Sequence, residues 1–359
     1  MVLCRRIAAL AIFITGIAHA FAAIAADSAV IFMYHHVAHD TPASTTVSPA
    51  RFAEHLQWLE SNGFDVLPLI SVLNRLSAGE PLPDNTVVIT FDDGYRSVLS
   101  EAAPLLQQRN WPFTIFVSTD YVDSGYDGYL SWDELRRLVD MGASIGNHTK
   151  SHAHLVRRLA AETDAQWTAR VTGEITGADR RITEELDDAS IPVLAWPYGE
   201  YDAATQQIAA NLGFFGVGQH SGAVGAASDR LALPRFPIAT GFDSLDDFAL
   251  RARTRPLLMT LAGTERHVSD GGRPALEAFL HDERVQRDEL ACYAGGQGRM
   301  QLEWLDVTAG RFIARPRQAL RPGRTKYNCT APSATTTGVY HWFGYVWMTR
   351  RPNGDWYEE

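Results

Sequence analysis

Short apolar runs recur along the chain, each followed by a stretch in which apolar residues return every three or four positions. Val30–Tyr34, Val87–Phe91, Thr114–Val117, Val193–Trp196 and Phe214–Val217 are β-branched and aromatic runs that predict buried strands. Ile145 lies in another short run that leads into a histidine-rich segment. Between the strands, Pro49–Asn62 puts Phe52, Leu56 and Leu59 on one helical face, with Ser48 placed to cap it. Val98–Gln108, Trp132–Met141 (capped by Ser131), Ala160–Asp187 and Ala203–Leu212 also read as helices. This alternation predicts an α/β fold with a parallel sheet and crossover helices. Six or seven such strands can close into a barrel or lie flat as a doubly wound sheet, and the pattern alone does not choose.

After Asp246–Arg253 the character changes. Arg255-Pro256, Gly271-Gly272, Gly295-Gly296 and Pro322-Gly323 punctuate short segments, and Leu302–Leu305, Phe312–Ala314 and Val339–Met348 predict strands. We therefore expect an α/β domain over 26–254 and a small β-rich domain over 255–359. Its end carries Tyr340, Trp342, Phe343, Tyr345, Trp347, Trp356 and Tyr357. Flat rings suit the C–H face of a pyranose, which would make the domain carbohydrate-binding; alternating Tyr345 and Trp347 suit a small core better.

The first 25 residues predict a secretory signal. Arg5-Arg6 precede the apolar stretch Ile7–Ile17, and Ala18-His19-Ala20 and Ala23-Ile24-Ala25 offer cleavage sites. The product would be periplasmic or secreted, with no later transmembrane segment. Cys292 and Cys329 then remain as a pair, which in an exported chain predicts a disulfide. The net charge of −10 over 359 residues disfavours nucleic acid as a partner. No glycine-rich phosphate loop follows a strand, so no nucleotide cofactor is indicated.

Chemistry concentrates in two places. Thr90–Tyr95 reads TFDDGY, with Asp92 and Asp93 at the carboxyl end of a strand, where catalytic groups collect in α/β barrels. Adjacent residues on an extended chain point apart, so one carboxylate can bind a metal while the other faces substrate. His148–Leu155 reads HTKSHAHL; on a helix, His148 and His152 would share a face and His154 would not. One Asp and two His can hold a divalent ion with a position left for water.

These two motifs resemble the first two of the polysaccharide deacetylases (the NodB-homology domain of carbohydrate esterase family four). The resemblance runs over roughly 28–250 and includes Tyr34-His35, Leu130-Ser131-Trp132 and Trp196-Pro197-Tyr198-Gly199. The short Tyr-His opening and the Pro-Tyr-Gly motif are most similar to the poly-β-1,6-N-acetylglucosamine deacetylase branch. The resemblance implies a distorted, incomplete (β/α)7-type barrel. It implies Asp93, His148 and His152 as metal ligands, with zinc as the default and nickel, cobalt or manganese as substitutes. Asp92 would be the general base towards a water whose pKa a metal lowers from about 15.7 towards about 7. The backbone N–H of Tyr198 would hold the oxyanion, a donor worth roughly 3–4 kcal/mol.

The usual arginine before the third-motif proline is missing, and Arg235 is a candidate replacement beside Asp92. His220, after a predicted strand, is a candidate proton donor, with His35 as the other histidine expected at the site. Trp132 and Trp196 are candidates to line the groove. The implied reaction is metal-dependent removal of N-acetyl groups, at a linear amide bond, from a β-linked N-acetylglucosamine polysaccharide. The alternatives are an O-acetyl esterase on xylan or another glycan, and a silent glycan-binding protein.

Overall fold

The computed structural model describes residues 27–263 and 267–358. The expected signal over 1–25 lies outside the described residues. Six strands, β1 (Ser28–Tyr34), β2 (Thr86–Phe91), β3 (Phe113–Val117), β4 (Ala143–Asn147), β5 (Ser190–Ala195) and β6 (Phe215–Val217), pair in sequence order, all parallel. The ring closes through one short segment. Its Leu233 bridges Val217 of β6, and its end, β7 (Phe236–Pro237), pairs with β1. The α/β sheet is thus curled into a distorted (β/α)7 barrel, not a flat doubly wound sheet.

Strands β1, β2 and β3 are buried on both faces, which is why they read as unbroken apolar runs. Alternate residues divide between two cores. Ile31, Val88, Phe116, Val193 and Val217 come from around the ring and meet one another, so they fill the interior. Val30, Phe32, Ile89 and Ile115 point outward and pack under the helices α1 (Pro49–Ser61), α3 (Ala103–Gln107), α4 (Trp132–Asp140) and α7 (Leu245–Ala252). The helix α2 (Leu69–Ala78) joins the interior set through Leu69, Val72, Leu73 and Leu76. We had not expected α2, although that spacing is helical. Of the expected helices, Val98–Gln108 begins as a wide π-type turn over Val98–Ala102. The long helix α5 (Asp164–Leu186) starts later than expected, because Thr163 and Gln166 form a reciprocal cap there. Helix α6 (Ala203–Asn211) follows β5.

Beyond Arg253 the strands build two sheets. One contains β8 (Met259–Leu261), β9 (Leu276–Leu280), β11 (Gln301–Asp306) and β12 (Arg311–Arg315); the other contains β10 (Ala291–Ala294), β13 (Gly323–Pro332) and β14 (Tyr340–Thr349). Leu276, Ala278, Phe312, Tyr327, Tyr345 and Trp347 form a core shared by both. Tyr345 and Trp347 are therefore core residues. Cys292 and Cys329 face each other on β10 and β13 and are bonded. Closing that loop stabilises the sandwich by about 4 kcal/mol in the chain-entropy treatment. Strand β14 lies directly on the barrel. Trp342 meets Phe236 edge-on at 5.2 Å, and a Cβ at Gly344 would collide with the Ser221 carbonyl. No helix among the described residues is long and apolar enough to cross a membrane.

Candidate active site

The carboxyl ends of β2 and β4 bring the two motifs together. Strand β2 ends at Phe91, and the chain then turns sharply through Asp93 (φ 73°) and Gly94 (φ 75°). This turn swings the Asp93 carboxylate towards His148, whose Nε2 lies 3.1 Å from Asp93 Oδ1; His152 Nε2 is 3.4 Å from the same oxygen. One ligand atom from each of the three lies within 4.8 Å of the others, a set that could hold a metal ion. The donor chemistry fits one. His148 Nδ1 is 2.8 Å from the Ala195 carbonyl on β5, so its proton is spent there and Nε2 presents a lone pair. That Nε2 is buried and makes no hydrogen bond of acceptable geometry. Burial works to raise the Asp93 carboxyl. The contact with His148 and the charges of His35, His148 and His152 outweigh it and hold the group well below the usual carboxylate range.

The two histidines do not share a helix. The chain from 148 to 163 is irregular, and His152 (φ 58°) and Thr149 (φ 66°) adopt left-handed conformations. Asn147 shapes this turn, accepting from Thr149 N at 2.8 Å and donating to Ile175 of α5 at 2.9 Å. Backbone in this region costs about 1–3 kcal/mol per residue and persists where surrounding structure imposes it.

Asp92 points the other way and is fully buried. Arg235 donates from Nη1 to Oδ1 and from Nη2 to Oδ2, both at 2.7 Å. The same guanidinium donates to Gly218 O and Thr90 Oγ1 and sits 5.3 Å from the centre of the Phe116 ring. Burial opposes the ionised Asp92, but the charge and hydrogen bonds of Arg235, with His148 and His35, hold its pKa below the ordinary value. Each carboxylate oxygen keeps a second lone pair for a water or substrate proton.

Residues 79–217 match the family model described as polysaccharide deacetylase. This chain carries a polysaccharide deacetylase domain. It is 26% identical to the Streptococcus pyogenes deacetylase PplD, solved in complex with acetate, with a TM-score of 0.57 over 63% of this chain and 98% of that one. IcaB from Ammonifex degensii shares the fold at 23% identity, with a TM-score of 0.55 over 64% of this chain and 98% of that one. In sequence, the chain is 24% identical over 237 residues to the poly-beta-1,6-N-acetyl-D-glucosamine N-deacetylase of Escherichia coli (strain K12). That match covers 57% of this chain and 35% of the Escherichia coli protein, so the chain spans only about a third of that relative.

The third motif of the deacetylase domain follows β5. Pro197–Gly199 forms a tight turn with Tyr198 at φ 60°, a fourth non-glycine residue of the site in the left-handed region. The Tyr198 ring stacks on His154 at 3.9 Å and meets His152 edge-on at 4.4 Å. Next to it, Glu200 is a buried carboxylate that we had not singled out. It accepts from His154 Nδ1 (2.8 Å), Arg157 (3.1 Å), Arg324 of β13 (3.0 Å) and the Tyr357 hydroxyl (2.5 Å). Arg324 also lies 5.4 Å from the centre of the Tyr198 ring. One acid thus ties the histidine loop, the third motif, the sandwich and the chain end together. A glutamate beside a Pro-Tyr-Gly turn was the only signal in the sequence, and its partners are far away along the chain.

Several expected substrate-side residues stand elsewhere. Trp196 is fully buried, donating Nε1–H to Leu231 O at 2.8 Å, so it is core and not groove lining. Trp132 donates to Asp123 at 2.7 Å, and its face is covered by Arg181 at 4.9 Å. It ties the start of α4 to Asp123 and Arg181. Arg235 is fully buried against Asp92, in the place expected of the replacement arginine. His220 is buried and lines a cavity of about 520 Å³ between barrel and sandwich with Tyr201 and His267, and none of the Asp–His–His cluster lines it. Burial first, then the charges of His267 and Lys326, push its pKa down to about 3, which favours the neutral imidazole at neutral pH. His35 is half-buried, and its charge acts on both Asp92 and Asp93.

Proposed function

We propose that this protein is an exported, divalent-metal-dependent hydrolase that removes N-acetyl groups from a β-linked N-acetylglucosamine polysaccharide. The reading rests above all on the convergence of Asp93, His148 and His152 beside an Asp92 pinned by Arg235. A divalent ion held by the three would supply Lewis acidity to a water and to the acetamide carbonyl. Zinc suits an Asp–His–His set with open positions, and nickel, cobalt or manganese can occupy the same ligands. Asp92 takes the proton of the attacking water as general base. The Tyr198 backbone N–H, in the tight turn Pro197–Gly199, would hold the developing oxyanion. His35, half-buried after β1 and near enough to act on both carboxylates, is our candidate to supply the proton to the leaving amine in place of His220. The disulfide supports an oxidising, exported location. The named activity of the Escherichia coli relative supports the N-acetylglucosamine polymer as substrate.

The test is acetate release from N-acetylglucosamine oligomers by the full protein. A chelator should abolish release, and added zinc, nickel, cobalt or manganese should restore it. Acetylxylan assayed in parallel separates an amide-directed enzyme from an O-acetyl esterase. Turnover that survives exhaustive chelation would defeat the metal-dependent reading.

A further inference from the structure

Four tyrosines line one side of the Asp93 turn. Tyr95 follows Gly94, and Tyr121, Tyr126 and Tyr129 lie between β3 and α4. Their rings touch in series. His36 stacks on Tyr95 at 3.6 Å, Tyr95 meets Tyr129 at 5.0 Å, and Tyr129 stacks on Tyr121 at 4.8 Å with 21° between planes. Tyr126 closes the series against Tyr121 and Tyr129, at 5.6 and 6.5 Å. The backbone holds the series in place. Tyr95 and Tyr129 form an antiparallel bridge, Leu130 N donates to Gly94 O at 2.9 Å, and Arg96 N donates to Gly128 O at 2.8 Å. The wall runs from a half-buried end at Asp93 to an open end, where Tyr126 is 57% exposed.

An apolar core does not need hydroxyl-bearing rings in a row with an exposed end. A neutral sugar chain does: ring faces meet the axial C–H groups of a pyranose, and the phenols serve its hydroxyls and acetamides. We propose that Tyr95, Tyr121, Tyr126 and Tyr129 form a stacking wall that binds the pyranose next to the one presented at Asp93, so that the site takes chains in preference to single sugars. The inference rests on the deacetylase reading for the choice of sugar, but its test reads binding and does not need turnover.

Stopped-flow fluorescence, read before acetate release, would compare the full chain's affinity for free N-acetylglucosamine with that for β-1,6- and β-1,4-linked pentamers. At least one pentamer should bind about tenfold or more tightly than the monosaccharide, the size expected of one further good contact. In Tyr126→Ala and in Tyr121→Ala that preference should fall towards unity, and Tyr126→Phe, which keeps the flat face, should retain most of it. Thermal melts of each variant check folding; the exposed Tyr126 should be the most tolerant. The wall is overturned if wild-type protein binds neither pentamer more tightly than the monosaccharide, or if Tyr126→Ala keeps the full preference. Acetate release, measured separately, can fail while the pentamer preference holds, which would sink the deacetylase reading alone.

Discussion

Asp92 stays ionised although it is buried, because Arg235 meets both of its oxygens. The pair is fully buried, so removing either partner strands the other's charge. Arg235→Met should destabilise the protein by about 3–5 kcal/mol in denaturant melts and cut activity with it. Asp92→Asn asks a different question, since it leaves the Asp93, His148 and His152 donors untouched. Acetate release should fall by roughly 10²–10⁴, the range for loss of a general base, while bound metal measured by elemental analysis should be unchanged. Full activity in Asp92→Asn would remove the residue from its assigned role. The pair was only half legible in the sequence: the adjacent carboxylates stand in one motif, but Arg235 stands after the residues matched to the family, beyond 217.

At the scale of elements, the sequence spoke most clearly where local rules act. Ser131 and Glu134 cap α4 reciprocally, as a serine ahead of an apolar-periodic stretch predicts. Ser131→Ala should cost about 1 kcal/mol of stability, read from thermal melts, and should leave the α4 sequence otherwise helical. Strands β1, β2 and β3 appeared as apolar runs because both of their faces are buried. In the histidine segment His148 and His152 have helical spacing, yet Thr149 and His152 take left-handed backbone and no helix forms. No local preference announces that conformation; Asn147 and the packing of α5 impose it. Trp196 was misplaced for a related reason. Its neighbours belong to the site, yet its own ring packs with Trp167, Val171 and Ile208 beneath α5 and α6.

At the scale of the molecule, Glu200 joins barrel, sandwich and chain end, and it makes that junction sensitive to acid. Burial alone would raise its pKa, but His154, Tyr357 and Arg157 outweigh it and lower the group from 4.5 to about 2. A depressed carboxylate stabilises the fold above its unfolded pKa and loses that contribution as the pH falls through its folded one. The junction should therefore hold at pH 5 and weaken between about pH 4.5 and 2, by on the order of 3 kcal/mol. In Glu200→Gln, stability measured by denaturant titration across that window should lose this part of its pH slope. An unchanged slope would show that the acid sensitivity arises elsewhere. Because Arg324 reaches both Glu200 and Tyr198, the sandwich is expected to support the third motif directly.

The sequence by itself determined the alternating elements, the two adjacent carboxylates, the histidine pair and the cysteine pair, since each is written in neighbouring residues or in a short repeat. Tertiary structure alone decided that the sheet closes, that Arg235 lies behind Asp92, that His220 faces a cavity away from the ligands, and that tyrosines, not Trp132 or Trp196, flank Asp93. Those outcomes depend on contacts between residues distant along the chain, where hydrophobic period and helix spacing carry no information about which side chains meet.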